Sequence, residues 1–432
     1  MKRLPHALVV GLGLELVSSL LFMVLLFHST DVAFSPTWTM VTNGIDAAAH
    51  VLVAAGALQL ARSLAGRAAI GAKIAAAAQL GLVVMIGFWI TSQLWTSTES
   101  ATLARIFEAG RYVHAVLWLV VAVGFALVAR PLGLAIALPV TAVVGVPVPV
   151  LGNLLYGELH SEAAWISIET VPYVVISALA LFAAWSRSAE LVAAPGPDPA
   201  DAFARAGKAL WLRVIAALSL AGFTFLVGLS RSNDLIGLLR AVMLLAPTVD
   251  AIALALFARA VILLARTSLA PWLLSIAAAF ALAATGMIAG QVAQIYNLFY
   301  GHQDGGFYGM AAREPMIGGF STQVTPLVAA TGIALVLVAI ARLARERNLE
   351  DVRQNIVIRT GVFVALMVGS LIMIRFITGP AIGEAGLAVF MLFAIAGATL
   401  YALTIAAKLC AQGAELVARD PAGLPAATVV SS

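Results

Sequence analysis

No Asp, Glu, Lys or Arg separates Arg266 from Asp304, and the same holds between Arg130 and Glu158, Glu314 and Arg342, and Glu384 and Lys408. An α-helix rises 1.5 Å per residue, so ~20 apolar residues cross the ~30 Å of hydrocarbon in a bilayer. Stretches of this length recur along the whole 432-residue chain. They point to an all-α integral membrane protein rather than a water-soluble domain. Composition agrees: 62% of residues are hydrophobic and 11% charged, against roughly half and a quarter in soluble domains.

The N-terminal run extends from Pro5 to Phe27 with Glu15 as its only charge. It is longer than a signal-peptide core, and Asp31-Val32-Ala33-Phe34 offers no clean cleavage site, so it reads as a first span. Continuing with the same template places spans near residues 5–27, 38–62, 72–96, 106–129, 132–156 and 163–187. A second set lies near residues 208–229, 237–265, 270–298, 317–343, 356–377 and 385–410. About twelve spans result.

Charge tests the count. With an even number of spans in each half and the N-terminus in the cytoplasm, the far side keeps only Arg105, Arg111, Arg231, Arg240, Arg313 and Arg375 of the 25 lysines and arginines. All others, Arg213 among them, fall on the inner side, as the positive-inside rule requires. Both termini are therefore expected in the cytoplasm. Lysine occurs only at positions 2, 73, 208 and 408 and alanine is abundant, a bias that suggests a GC-rich bacterial genome and hence the bacterial inner membrane. The basic residues are scattered over short loops, so the formal charge of +4 marks topology and not a nucleic-acid surface. The lone Cys410 allows no internal disulfide.

The two halves resemble each other. Asp46 and Asp250 stand at the same offset as Ala61-Arg62-Ser63 and Ala265-Arg266-Thr267, and as Gln93-Leu94-Trp95 and Asn297-Leu298-Phe299. Later, Ala189-Glu190-Leu191-Val192-Ala193 matches Ala414-Glu415-Leu416-Val417-Ala418. The expected organisation is a six-helix repeat over residues 1–191, a Pro/Ala linker over 192–206, a second six-helix repeat over 207–418 and a flexible tail over 419–432. Six spans per copy keep both copies in parallel orientation, a plan known among transporters. The loop Arg62-Ser63-Leu64-Ala65-Gly66-Arg67 lacks the acidic residue and spacing of the major facilitator glycine motif. Span number alone therefore carries no family assignment.

Four acids fall inside expected spans: Glu15, Asp46, Glu169 and Asp250. A charge at the bilayer centre costs ~3 kcal/mol or more, so such groups usually face a partner or a cavity. Asp46 and His50 are spaced to share one helix face. The second half keeps Asp250 but has Leu254 in place of the histidine, which excludes a symmetric relay. Asn43-Gly44 precedes Asp46 and Pro247-Thr248 precedes Asp250. Two readings stay open. The pairs mark broken helices around a transport site, or Asn43 and Pro247 begin their helices and both aspartates cap first turns. Glu15 lies mid-span, where it has no capping role. Near Glu169, Tyr173 offers a partner.

The ninth span carries Gly286 and Gly290, then Gln291 and Gln294 on one stripe. These amides are candidate substrate contacts. His302 and Asp304 are too few for a metal site. No zinc-protease, phosphate-loop, nucleophile-elbow or paired-cysteine motif occurs, and neither a metal nor another cofactor is expected.

Three function classes remain. A secondary transporter or permease for a small solute, with a coupling ion, has most support. In it Glu15, Asp46, His50, Glu169 and Asp250 are proton or cation candidates. A sensor or assembly partner without transport activity is the alternative, and a membrane-embedded enzyme on a lipid-linked substrate is the third.

Overall fold

The computed structural model describes residues 4–28, 36–92, 101–145, 162–191, 197–230, 235–267, 269–300, 320–377 and 385–418. Among them are twelve helices and no strand. Six belong to a first compact unit, Met1–Pro195: α1 (His6–His28), α2 (Pro36–Ser63), α3 (Gly66–Ser92), α4 (Ala101–Val128), α5 (Leu132–Gly145) and α6 (Glu162–Trp185). The second unit, Gly196–Ser432, contains α7 (Pro199–Ser230), α8 (Leu235–Ala265), α9 (Pro271–Tyr300), α10 (Phe320–Glu346), α11 (Glu350–Ile377) and α12 (Ala385–Ala418). Eight of the helices are long and apolar enough to cross a membrane. That length and composition fit a multi-pass membrane protein.

The pattern of burial fits too. On α1 the inward face carries Leu8, Gly11, Glu15 and Ser18, while Val17, Leu20, Val24 and Phe27 are exposed. Large apolar side chains outside and polar ones inside suit a lipid solvent, in which a polar group must find its partners within the protein. The buried polar residues Glu15, His50, Gln79 and Ser177 all follow this rule.

In the first unit each helix packs on the next from α1 to α6, α6 closes back on α1, and α4 also touches α6. The second unit has the same order of neighbours: α7 through α12 in succession, α12 back on α7, and α10 against α12. Each unit is thus a closed ring of six helices around its own interior.

Two glycines set a close approach of α1 and α2 in the first ring. A Cβ built on Gly11 would lie 2.6 Å from the Val53 backbone nitrogen, and one on Gly56 would overlap the backbone of Leu8. Backbone contact between α1 and α2 needs residues without side chains at these points. The glycines hold the helices together within two turns of Glu15 and His50.

Some boundaries differ from the expectation. α7 begins at Pro199, inside the stretch read as linker over 192–206. Asp198 supplies the reason: its Oδ1 accepts the Ala200 backbone N–H at 2.9 Å, which makes it an N-cap with proline in the first helical position. α3 begins at Gly66, six residues before the expected start at 72. Gly66, with φ of 59°, makes the turn out of α2.

Candidate functional site

Two polar sites form, one in each ring. In the first, His50 Nδ1 lies 3.0 Å from Glu15 Oε1 and 2.6 Å from Gln79 Oε1, and the Ser177 hydroxyl donates to Glu15 Oε2 at 2.7 Å. α1, α2, α3 and α6 each contribute one of these residues, all of them buried. With acceptors on both sides, Nδ1 carries a hydrogen and donates it. Above the imidazole stands Trp118 of α4, edge-on with ring centres 5.8 Å apart. Tyr173 stacks on Trp118 at 5.1 Å, and the Trp118 indole N–H donates to His114 Nε2 at 3.3 Å. Side chains from five of the six helices therefore meet inside this ring.

Asp46 lies on the same helix as His50. It sits one turn before His50 on α2 and interacts with it through charge, while the imidazole's hydrogen bonds go to Glu15 of α1 and Gln79 of α3; Ser18 of α1 is hydrogen-bonded to Asp46. Asp46 does not cap a helix, since α2 opens at Pro36, ten residues earlier in the chain. The same is true of Asp250, because α8 opens at Leu235 and runs through Pro247. The capping reading of both aspartates is thereby removed. The helices continue through Asn43-Gly44 and Pro247-Thr248 because neighbouring helices in the ring supply the packing that local propensity lacks.

In the second ring, Arg213 of α7 and Asp250 of α8 form a two-point ion pair. Nε lies 2.6 Å from Oδ1 and Nη2 lies 3.0 Å from Oδ2. The pair forms part of the wall of a cavity of about 300 Å³ to which all six helices of this ring contribute. Gln291 of α9, Thr325 of α10, Ser370 of α11 and Thr399 of α12 add polar atoms, and the rest of the wall is apolar apart from the backbone. Gln291 Nε2 donates to Thr325 Oγ1 at 3.1 Å. Pro247 and Pro326, both inside helices, also face the cavity. Each proline removes a backbone hydrogen bond and frees a carbonyl one turn earlier.

Of the candidates from sequence, Glu15 and His50 are brought together with Asp46 nearby. Asp250 and Gln291 meet in the other ring. The side chains of Glu169 and Gln294 lie outside the described residues, as do those of Arg111 and Arg375 and the loop with His302 and Asp304. Sequence reasoning missed Gln79, Ser177, Arg213, Thr325 and Ser370. Arg213 had a signal: with α7 starting at its N-cap Asp198, the arginine falls fourteen residues into the helix and not at its end.

Chemically, the first site can hold and pass a proton. The donor hydrogen on His50 is shared between a carboxylate oxygen and an amide oxygen, and Gln79 Nε2 is buried without a hydrogen-bond partner among the described residues. Rotating that amide would turn the histidine's neighbour from acceptor to donor. The second site offers a guanidinium, a carboxylate, an amide and hydroxyls around an open volume, the usual makeup of a small-molecule pocket. Among the described residues no three His, Cys, Asp or Glu side chains converge as metal ligands would.

The chain matches no protein-family model, and comparison with curated proteins and with solved structures returns no match.

Proposed function

We propose that the chain is a secondary transporter or permease that binds a small solute in the second ring and a proton at Glu15 and His50 in the first. The observation that carries this reading is the Arg213–Asp250 cavity, faced by prolines inside two of its helices. Prolines inside helices free backbone carbonyls, and beside polar side chains around a cavity they offer groups to a solute, as irregular helices do in membrane transporters. Energetics adds a second argument. Hydrogen bonds between membrane helices contribute ~0.6 kcal/mol on average, less than the ~3 kcal/mol cost of a charge at the bilayer centre. Leucine would stabilise these interiors at lower cost. Ion pairs kept there serve something besides stability.

The same reading includes twelve spans in two parallel six-helix repeats, both termini in the cytoplasm and residence in a bacterial inner membrane. The shared order of helix neighbours in the two rings and the matched Asp46 and Asp250 on their second helices support the duplication. The bilayer is the expected environment, and a coupling ion the expected co-substrate.

A second reading, a sensor or assembly partner without flux, is favoured by one feature. The carboxylate and the imidazole of the first ring are hydrogen-bonded on several sides, as in a peg that fixes helices. Uptake into vesicles, with and without an imposed proton gradient, separates the two for native protein and Glu15→Gln. The transporter reading expects gradient-driven uptake that loses its gradient dependence in the variant. Absence of flux across a broad solute panel would leave the second reading.

A further inference from the structure

The chemistry of the second ring's cavity defines the solute more closely, an inference that rests on the cavity being the solute site. We infer that it takes a compact zwitterion, an apolar body bearing one carboxylate and one ammonium group, as in an apolar α-amino acid.

Charge balance comes first. Arg213 and Asp250 neutralise each other at a two-point contact, so the cavity wall carries no net charge from this pair. A bare anion or cation entering a low-dielectric interior would leave one charge uncompensated, whereas a zwitterion leaves none. Geometry comes second. Asp250 engages the side of the guanidinium, Nε and Nη2, and Nη1 has no hydrogen-bond partner among the described residues. The far end of the fork, Nη1 with the second hydrogen of Nη2, can take a second carboxylate end-on. The Asp250 carboxylate keeps a quarter of its side chain exposed, so its remaining lone pairs can accept from an ammonium. The two charged ends of a zwitterion would thus extend the existing pair into a closed four-group arrangement.

Size and lining come third. A cavity of about 300 Å³ lies at the small end of the range for ligand pockets, which suits a compact solute. The cavity's apolar lining includes Ala216, Ala217, Leu220, Ile288, Met367 and Leu403. Such a wall favours an aliphatic or thioether side chain over a charged one.

The test measures binding to purified full-length protein in nanodiscs by titration calorimetry and thermal shift. The probes are leucine, methionine and phenylalanine, beside 4-methylpentanoate, which lacks the ammonium, and 3-methylbutylamine, which lacks the carboxylate. Saturable binding of at least one zwitterion is expected, with both single-charge analogues of leucine weaker by about a hundredfold or more if leucine is the ligand. Ser370→Phe should abolish binding by filling the cavity while leaving the ion pair and the melting transition in place. Because Asp250→Asn alone would leave Arg213 unpaired, exchange of the pair (Arg213→Asp with Asp250→Arg) provides a second check, and it should weaken binding by moving both charges. The inference is overturned if no zwitterion binds, if either analogue binds as tightly as leucine, or if Ser370→Phe binds normally. Vesicle flux tells the two failures apart. Uptake of an anion or a cation with no zwitterion binding leaves transport standing and removes the solute class. Zwitterion binding without flux removes transport alone.

Discussion

Arg213 and Asp250 meet side-on across α7 and α8, Nε to Oδ1 at 2.6 Å and Nη2 to Oδ2 at 3.0 Å. The arginine side chain is only 11% exposed and the aspartate 25%. Removing one partner from such a pair leaves the other charge uncompensated, which costs about 3–5 kcal/mol. Asp250→Asn and Arg213→Gln should each lower the unfolding free energy by roughly that amount, measured by denaturant unfolding in detergent. Replacing both by Met and Leu should cost much less, since an apolar pair leaves no orphan. A single variant as stable as the native protein would show that the pair is not held as described.

The approach of α1 to α2 predicts a contrast among glycines. Gly56→Val places a side chain against the Leu8 backbone and should force the helices apart, lowering stability and separating Glu15 from His50. Gly13→Ala meets nothing within 4 Å, and in a helix it should be neutral or stabilising by up to ~1 kcal/mol. Thermal melting of the two variants checks this directly; equal effects would contradict the close approach.

Gln79 gives a prediction that separates stability from proton handling. Gln79→Leu removes one hydrogen bond to His50 together with an amide nitrogen that has no hydrogen-bond partner among the described residues. Stability should change by less than ~1.7 kcal/mol, the upper end for such contacts. The pH dependence of uptake should nonetheless move, because His50 then shares its hydrogen with Glu15 alone. Ser219→Ala, whose hydroxyl bonds only its own helix at Ile215, should leave the profile in place.

The topology predicts that a reporter fused after Pro195 and one fused after Ala418 are both active on the cytoplasmic side. A periplasmic signal at either point would remove the even span count and the parallel repeat drawn from it.

Much of this was legible in the sequence, for definite reasons. Glu15, Asp46, His50 and Asp250 stand out because charge or imidazole in an apolar run is costly and rare. The helices themselves follow from run length. Gln79 and Ser177 gave no such signal, since a neutral polar residue among alanines is commonplace. Their role comes from α3 and α6 closing the ring beside α1, which depends on contacts far apart in the chain. Arg213 was misplaced for a local reason: the Asp198-Pro199 cap lay in a stretch whose Pro and Ala content reads as linker, so the helix was started too late. His50 was matched to Asp46 by helical spacing, and tertiary packing adds Glu15 and Gln79 as its hydrogen-bond partners.

Whether the second ring's cavity is a solute path is most directly measured by thiol accessibility at Ser370. Cys410 is the chain's single cysteine and is buried, so Cys410→Ser gives a clean background. In that background, Ser370→Cys should react with a membrane-impermeant maleimide in sealed vesicles of one orientation or the other, and bound solute should slow the reaction. A cysteine at this position that stays unreactive from both faces, in protein shown to be folded, would contradict the account.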